Sequence, residues 1–241
     1  MTRFVLVHGA FAGGWVWGPL AELLEQNGHT VEAPDLPGGG RDRTPLSEIT
    51  LDAYAKRICE VLAARPEPAV LVGHSMGGMA ITQAAPRCAD RIASMVYVAA
   101  FLPQDGDSLI ALTQLPEGEG DQVQANLVVS GDPPVATMPA EASRAATYEH
   151  CSDEMAAWAI ASRTPQPVFP FTEPVALDGF DFAGIPRAYV FCGQDRAIPP
   201  ALQRRMIAAA GCDPVFELDT DHVPQLSRTA ELAEIMERLA A

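Results

Sequence analysis

Gly73-His74-Ser75-Met76-Gly77-Gly78 is the stretch that decides the fold. An apolar run, Ala69-Val70-Leu71-Val72, leads into it, and a run of helical character, Met79 to Arg87, leads out. The spacing G-x-S-x-G between a strand and a helix predicts a tight turn with a serine at its apex. The residues two before and two after the serine lack a Cβ, as a crowded, strained turn demands. Such a turn lifts a hydroxyl above the strand ends. It also aims the free N–H groups of the following helix at the point where negative charge would form.

Working outward from this turn, apolar runs and helical runs alternate. Phe4-Val5-Leu6-Val7 reads as a strand buried on both faces and ends in a loop of small residues, His8 to Gly14. A helix is expected from Trp17 to Gln26, a strand over Thr30 to Ala33, a helix from Leu51 to Ala64 and a strand over Met95 to Ala100. The rhythm then stops. Residues 103–184 are rich in proline, glycine and acids, with short helical pieces at Ala140 to His150 and Asp153 to Arg163. So long a stretch is no bare loop, and a helical cap folded over the sheet is expected. The rhythm resumes with a strand over Arg187 to Cys192, a helix from Pro199 to Ala210, a strand over Pro214 to Leu218 and a helix from Thr229 to Leu239. The expected architecture is an α/β core of residues 1–102 and 185–241, with a cap of residues 103–184 inserted after the fourth strand. About six mostly parallel strands would be flanked by helices, with a site past their carboxyl ends.

A serine hydroxyl is a weak nucleophile without a base, and the base needs an orienting acid. After this kind of turn the expected chain order is serine, acid, histidine. Asp195 follows the strand ending at Cys192, and His222 follows the strand ending at Leu218. His222 is therefore expected as general base and Asp195 as its acid, with Asp181 and Asp219 as fallbacks; His8 and His74 are expected to brace their loops. The backbone N–H groups of Met76, next to the serine, and Ala10, in the first loop, are expected to form an oxyanion hole. Phe11 on that loop and Trp158 in the cap are candidate pocket walls. The first loop lacks G-x-G-x-x-G, and Lys56 is the only lysine, so a dinucleotide or phosphate cradle is not expected.

Composition narrows the classes further. The chain has 241 residues, 16 basic against 31 acidic, for a net charge of −15. That argues against nucleic acid or an anionic membrane as partner. No apolar run approaches the roughly 20 residues of a membrane span. Thr2-Arg3 runs straight into the first strand, so no leader peptide is expected. The five cysteines, Cys59, Cys88, Cys151, Cys192 and Cys212, fit no C-x-x-C spacing and are expected as buried free thiols. A cytoplasmic location is the expectation. The oligomeric state stays open, a homodimer included.

Several stretches together resemble one branch of the α/β-hydrolases. They are Phe4-Val5-Leu6-Val7-His8-Gly9-Ala10, Gly13-Gly14-Trp15-Val16-Trp17, the Ser75 turn, Asp195-Arg196-Ala197-Ile198-Pro199 and Asp221-His222-Val223-Pro224-Gln225-Leu226-Ser227. The branch holds plant methyl-ester esterases, hydroxynitrile lyases and related bacterial esterases. The resemblance implies a serine esterase with its triad at Ser75, Asp195 and His222, acting on a small carboxylic ester without metal or cofactor. Cyanohydrin-cleaving members carry a threonine after the first-loop histidine and a lysine after the catalytic histidine. Here those positions are Gly9 and Val223, so hydrolysis is expected. Lactone, amide or C–C bond cleavage on the same triad, and a non-catalytic metabolite receptor, remain as alternatives.

Overall fold

The computed structural model describes residues 1–240. Its main sheet is six-stranded and parallel throughout, in the order β2-β1-β3-β4-β8-β9. The strands are β1 (Arg3–Val7), β2 (Thr30–Glu32), β3 (Ala69–His74), β4 (Ile92–Val98), β8 (Arg187–Cys192) and β9 (Val215–Leu218). Parallel strands need crossovers, and helices supply four of the five: α1 (Gly18–Gln26), α2 (Leu51–Ala63), α3 (Gly77–Cys88) and α8 (Pro200–Ala210), while α10 (Thr229–Ala240) follows the last strand and packs back on the sheet. No helix among the described residues is long and apolar enough to cross a membrane.

The continuous apolar runs follow from burial on both faces of the sheet. Val5, Val7, Leu71 and Tyr97 pack on one side, with Tyr54 and Ile58 of α2 and Ile81 of α3. Phe4, Leu6, Val72 and Val98 pack on the other, with Leu20 and Leu24 of α1 and Leu232 and Met236 of α10. From β1 the chain moves to one edge of the sheet, and from β3 it moves toward the other. The loops leaving β1 and β3 therefore diverge above the sheet, and a crevice opens between them.

Between β4 and β8 the chain leaves the sheet. It builds α4 (Leu109–Thr113), α5 (Ala140–Thr147), α6 (Asp153–Ala161) and α7 (Phe169–Thr172). It also builds a three-stranded antiparallel sheet of β5 (Val128–Ser130), β6 (Val135–Thr137) and β7 (Gln166–Pro167). The insertion is thus not purely helical. These strands are two or three residues long, too short for a period of two to show in the sequence. The segment does not stand apart from the core: Leu109 and Phe171 join one hydrophobic cluster and Tyr148 and Ala156 the other. A short helix, α9 (Pro224–Ser227), precedes α10.

The cysteines depart from expectation. Cys59 of α2 and Cys88 of α3 form a disulfide, and only Cys151, Cys192 and Cys212 are free and buried. Local spacing gives no sign of the pair, because packing of α2 on α3 brings together residues 29 apart in sequence. With that pair formed, cysteine usage no longer argues for a reducing compartment.

Candidate active site

Ser75 sits at the apex of the turn between β3 and α3 with φ of 54°. This is the left-handed region, which costs a non-glycine residue of order 1–3 kcal/mol and persists only where the surroundings enforce it. They do. The Ser75 amide donates to the Ala99 carbonyl at 3.2 Å, and its carbonyl accepts from the Phe101 amide at 3.1 Å. A Cβ on Gly73 would lie 2.8 Å from the Gly77 carbonyl oxygen, and one on Gly77 would lie 2.7 Å from that of Val7. Both glycines are therefore imposed by close backbone approach, as the motif predicts.

The loop after β9 carries His222 and the loop after β8 carries Asp195. His222 Nδ1 donates to Asp195 Oδ2 at 2.8 Å, with both side chains buried. The other carboxylate oxygen accepts from the amides of Ala197 (2.7 Å) and Ile198 (2.9 Å). Gln203 of α8, fully buried, donates to Asp195 Oδ2 at 3.2 Å and to the Ile198 carbonyl at 2.8 Å. The carboxylate is thereby fixed in orientation. Burial pushes the His222 pKa down, but the charges of Asp195, Asp221 and Asp121 outweigh it, and the net shift is upward. The fallback Asp219 accepts from Gln194 Nε2 at the surface, and Asp181 caps a turn by accepting from the Ala183 amide. Neither is bonded to His222.

The two other loop histidines hold backbone. His8 accepts the Leu36 amide at Nε2 (3.0 Å) and donates from Nδ1 to the Gly9 carbonyl (2.8 Å). His74 donates from Nε2 to the His222 carbonyl at 2.8 Å. Burial, the largest effect on each, lowers both pKa values, so both rings are neutral. His74 thus braces the loop that presents His222. The neighbouring Asp221 ties that loop to the insertion by accepting the His150 amide at 2.8 Å.

One cavity joins these groups. It has about 670 Å³ of empty space including its solvent mouth, and Ser75, His222, Ala10, Phe11 and Met76 all line it. No hydrogen bond links the Ser75 hydroxyl to His222 among the described residues; such bonds commonly tighten only around a bound substrate. The Ala10 and Met76 amides have no acceptor among the described residues. Phe11 is itself strained, at φ of 63°. Its amide donates to Gln166 Oε1 (3.3 Å), and its carbonyl accepts from the Thr164 amide (3.0 Å). Phe101, Leu109 and Phe171 add apolar wall.

Trp158 is not brought to the cavity. It is 43 % exposed and packs edge-on against Trp15, with ring centroids 5.1 Å apart, in a separate surface groove. Helical spacing cannot tell which side of α6 faces inward when both sides carry apolar residues. Conversely, Asp121 and Arg163 line the cavity without having been singled out. Neither lies in a recognisable motif, and only the folding of the insertion places them. Among the described residues, no group of three His, Cys, Asp or Glu is placed to hold a metal ion.

The strand order, the strained serine and the paired loops meet a matching family profile: that of the alpha/beta hydrolases covers residues 4–235. The chain belongs to the alpha/beta hydrolase family. Within it, the chain is 31 % identical to an alpha-hydroxynitrile lyase of Arabidopsis thaliana, over 99 % of this chain and 96 % of that one. It is 30 % identical to polyneuridine aldehyde esterase of Rauvolfia serpentina, over 97 % of this chain and 94 % of that one. A crystal structure of polyneuridine aldehyde esterase superimposes with a TM-score of 0.88 at 28 % identity, covering 100 % of both chains. A pyrethroid hydrolase from Sphingobium faniae superimposes with a TM-score of 0.86 at 26 % identity, covering 99 % of this chain and 97 % of that one. This alpha/beta hydrolase therefore shares the whole core and the insertion with relatives of more than one activity.

Proposed function

We propose that this alpha/beta hydrolase is a serine esterase that cleaves a small carboxylic ester through an acyl-enzyme. The observation that carries the reading is the buried Asp195–His222 pair, 2.8 Å apart, on the cavity that also holds Ser75. His222 takes the hydroxyl proton at Nε2 as Ser75 Oγ attacks the ester carbonyl. Asp195 holds the tautomer with hydrogen on Nδ1 and stabilises the imidazolium that forms. The Ala10 and Met76 amides donate to the oxyanion. The tetrahedral intermediate collapses, and the alcohol leaves with the proton from His222. Water then gives a proton to His222 and attacks the acyl-enzyme, releasing the acid and restoring Ser75. The insertion, residues 103–184, serves as the cap that shapes the pocket.

Among the relatives, polyneuridine aldehyde esterase and the pyrethroid hydrolase support this reading. The hydroxynitrile lyase supports a second one, cyanohydrin cleavage. Two positions disfavour it. A Cβ on Gly9 would lie 2.7 Å from the Cβ of Ser75, so this loop has no room for the threonine of the lyase pattern. Val223, buried on the cavity wall, offers no cation to a departing cyanide.

The test is release of p-nitrophenol from p-nitrophenyl acetate by wild type and Ser75→Ala. The variant is expected to lose on the order of 10⁴–10⁶ in kcat. Near-normal turnover in a folded Ser75→Ala protein would end the proposal.

A further inference from the structure

The alpha/beta hydrolase shows how it satisfies a buried guanidinium at Arg3. That side chain bonds Glu32 at 2.7 Å and the carbonyls of Val61, Leu62, Arg65 and Glu67. Arg163 is treated differently. It is half-buried, lies face-on over the Phe11 ring with its Cζ 4.3 Å from the centroid, and bonds only the Ser143 hydroxyl. It stands in no ion pair among the described residues. Most of the guanidinium's five N–H donors have no protein acceptor among the described residues, on the wall of the cavity that holds Ser75 and His222.

Water can serve those donors while the cavity is empty. It cannot once a substrate fills an enclosure walled by Phe11, Phe101, Leu109 and Phe171. A desolvated cation without an acceptor is costly, so a neutral ester in that space is penalised and one bringing its own anion is not. The flat fork of a guanidinium matches a carboxylate with two parallel bonds. Charge arithmetic limits the anion to a single charge. One arginine lines the cavity, and Asp121 on its wall, with Asp195 behind His222, would oppose a doubly charged phosphate.

We propose that Arg163 is the binding site for a free carboxylate on the substrate, and that the natural substrates are small esters carrying such a group. The proposal rests on the reading of Ser75 as nucleophile. The carboxylate lies either on the acyl part or on the alcohol part of the ester, and the experiment separates the two. The acyl arm compares the monomethyl ester of glutaric acid with the methyl ester of glutaric acid monoamide, its neutral isostere. The alcohol arm compares acetoxyacetate with acetoxyacetamide.

Wild type is expected to favour the charged member of one pair by about 10- to 100-fold in kcat/KM, the size of a charge-assisted pair. Arg163→Gln should lower that charged-to-neutral ratio at least ~10-fold, and Arg163→Lys should keep only part of it, since an ammonium carries the charge without the fork. A ratio near one in both pairs, or one untouched by Arg163→Gln, overturns the proposal. Calorimetric binding of the same pairs to Ser75→Ala reads the arginine without turnover. Charge-selective binding lost with Arg163→Gln upholds it, and its absence overturns it. If p-nitrophenyl acetate is hydrolysed in a Ser75-dependent way but no charge preference exists, only the arginine proposal fails. If wild type hydrolyses no ester, the nucleophile reading fails instead.

Discussion

Replacing Asp195 by asparagine tests the geometry of the site more sharply than removing the serine, because the two side chains have the same shape. The amide must choose an orientation. Its oxygen is claimed by the amides of Ala197 and Ile198, 2.7 and 2.9 Å from Oδ1. The NH₂ group then faces His222 Nδ1, 2.8 Å from Oδ2. Two donors cannot share a bond, so His222 shifts its hydrogen to Nε2, the nitrogen that must receive the serine proton. The same substitution removes the carboxylate charge that stabilises the imidazolium. Two unit charges about 4 Å apart at an effective dielectric of ~20 attract by about 4 kcal/mol. Adding roughly 1–2 kcal/mol for the wrong tautomer gives a barrier higher by about 5–6 kcal/mol, or on the order of 10⁴ in kcat. The pH profile moves as well. His222 is held above its ordinary value by Asp195, so wild-type activity falls as pH drops through that raised pKa. Without the charge the residual activity of Asp195→Asn should persist to lower pH. The assay is p-nitrophenyl acetate turnover across pH, with circular dichroism melting to verify folding. A folded Asp195→Asn within tenfold of wild-type kcat would refute the reasoning, since neither tautomer nor charge would then matter.

Two further outcomes concern stability. Burial, partly offset by its bonds to the Val123 and Gln124 amides, raises the Asp121 carboxyl from 3.8 to about 6. A native pKa above the unfolded one means stability falls as pH rises between those values, by at most about 3 kcal/mol. Asp121→Asn, whose amide oxygen can keep both backbone bonds, should therefore raise Tm at pH 8 and leave it nearly unchanged below pH 4; equal shifts at both would contradict the assignment. The Cys59–Cys88 disulfide closes a loop between residues 29 apart, a constraint on the unfolded chain of about 3–4 kcal/mol by loop-closure entropy. Thiol titration of the unreduced protein in denaturant should find the three free cysteines, Cys151, Cys192 and Cys212, which are buried in the fold. Dithiothreitol should lower Tm and raise that count; an unchanged Tm would remove the disulfide as a stabilising link.

What the sequence made legible was the part governed by local rules. Gly73 and Gly77 announce the turn because backbone packs directly against them. The strands at Phe4 and Val70 show as unbroken apolar runs because the sheet is covered on both faces. Asp195 and His222 could be singled out as a pair because each leaves a strand end in the order such a sheet requires, and the fold brings them 2.8 Å apart. The insertion obeys no such rule. Its strands are too brief to show alternation, and Trp158 turned outward while Asp121 and Arg163 turned in. Gln203, which orients Asp195, is invisible for a related reason: nothing in a helix sequence says which buried glutamine meets a carboxylate eight residues back. The Cys59–Cys88 bond likewise belongs to helix packing and not to spacing.

The anchoring of Phe11 has a consequence for how such an enzyme changes its substrates. Thr164 and Gln166 of the insertion grip both backbone groups of Phe11, one residue from the Ala10 amide. His150 is fastened to the Asp221 side chain, one residue from His222. On the proposed mechanism, the insertion that lines the cavity is therefore also part of the frame that holds the reacting groups in register. A substitution there that admits a new substrate also shifts the groups that do the chemistry. Recognition and turnover share one scaffold, and adapting this fold to a new ester requires retuning both together.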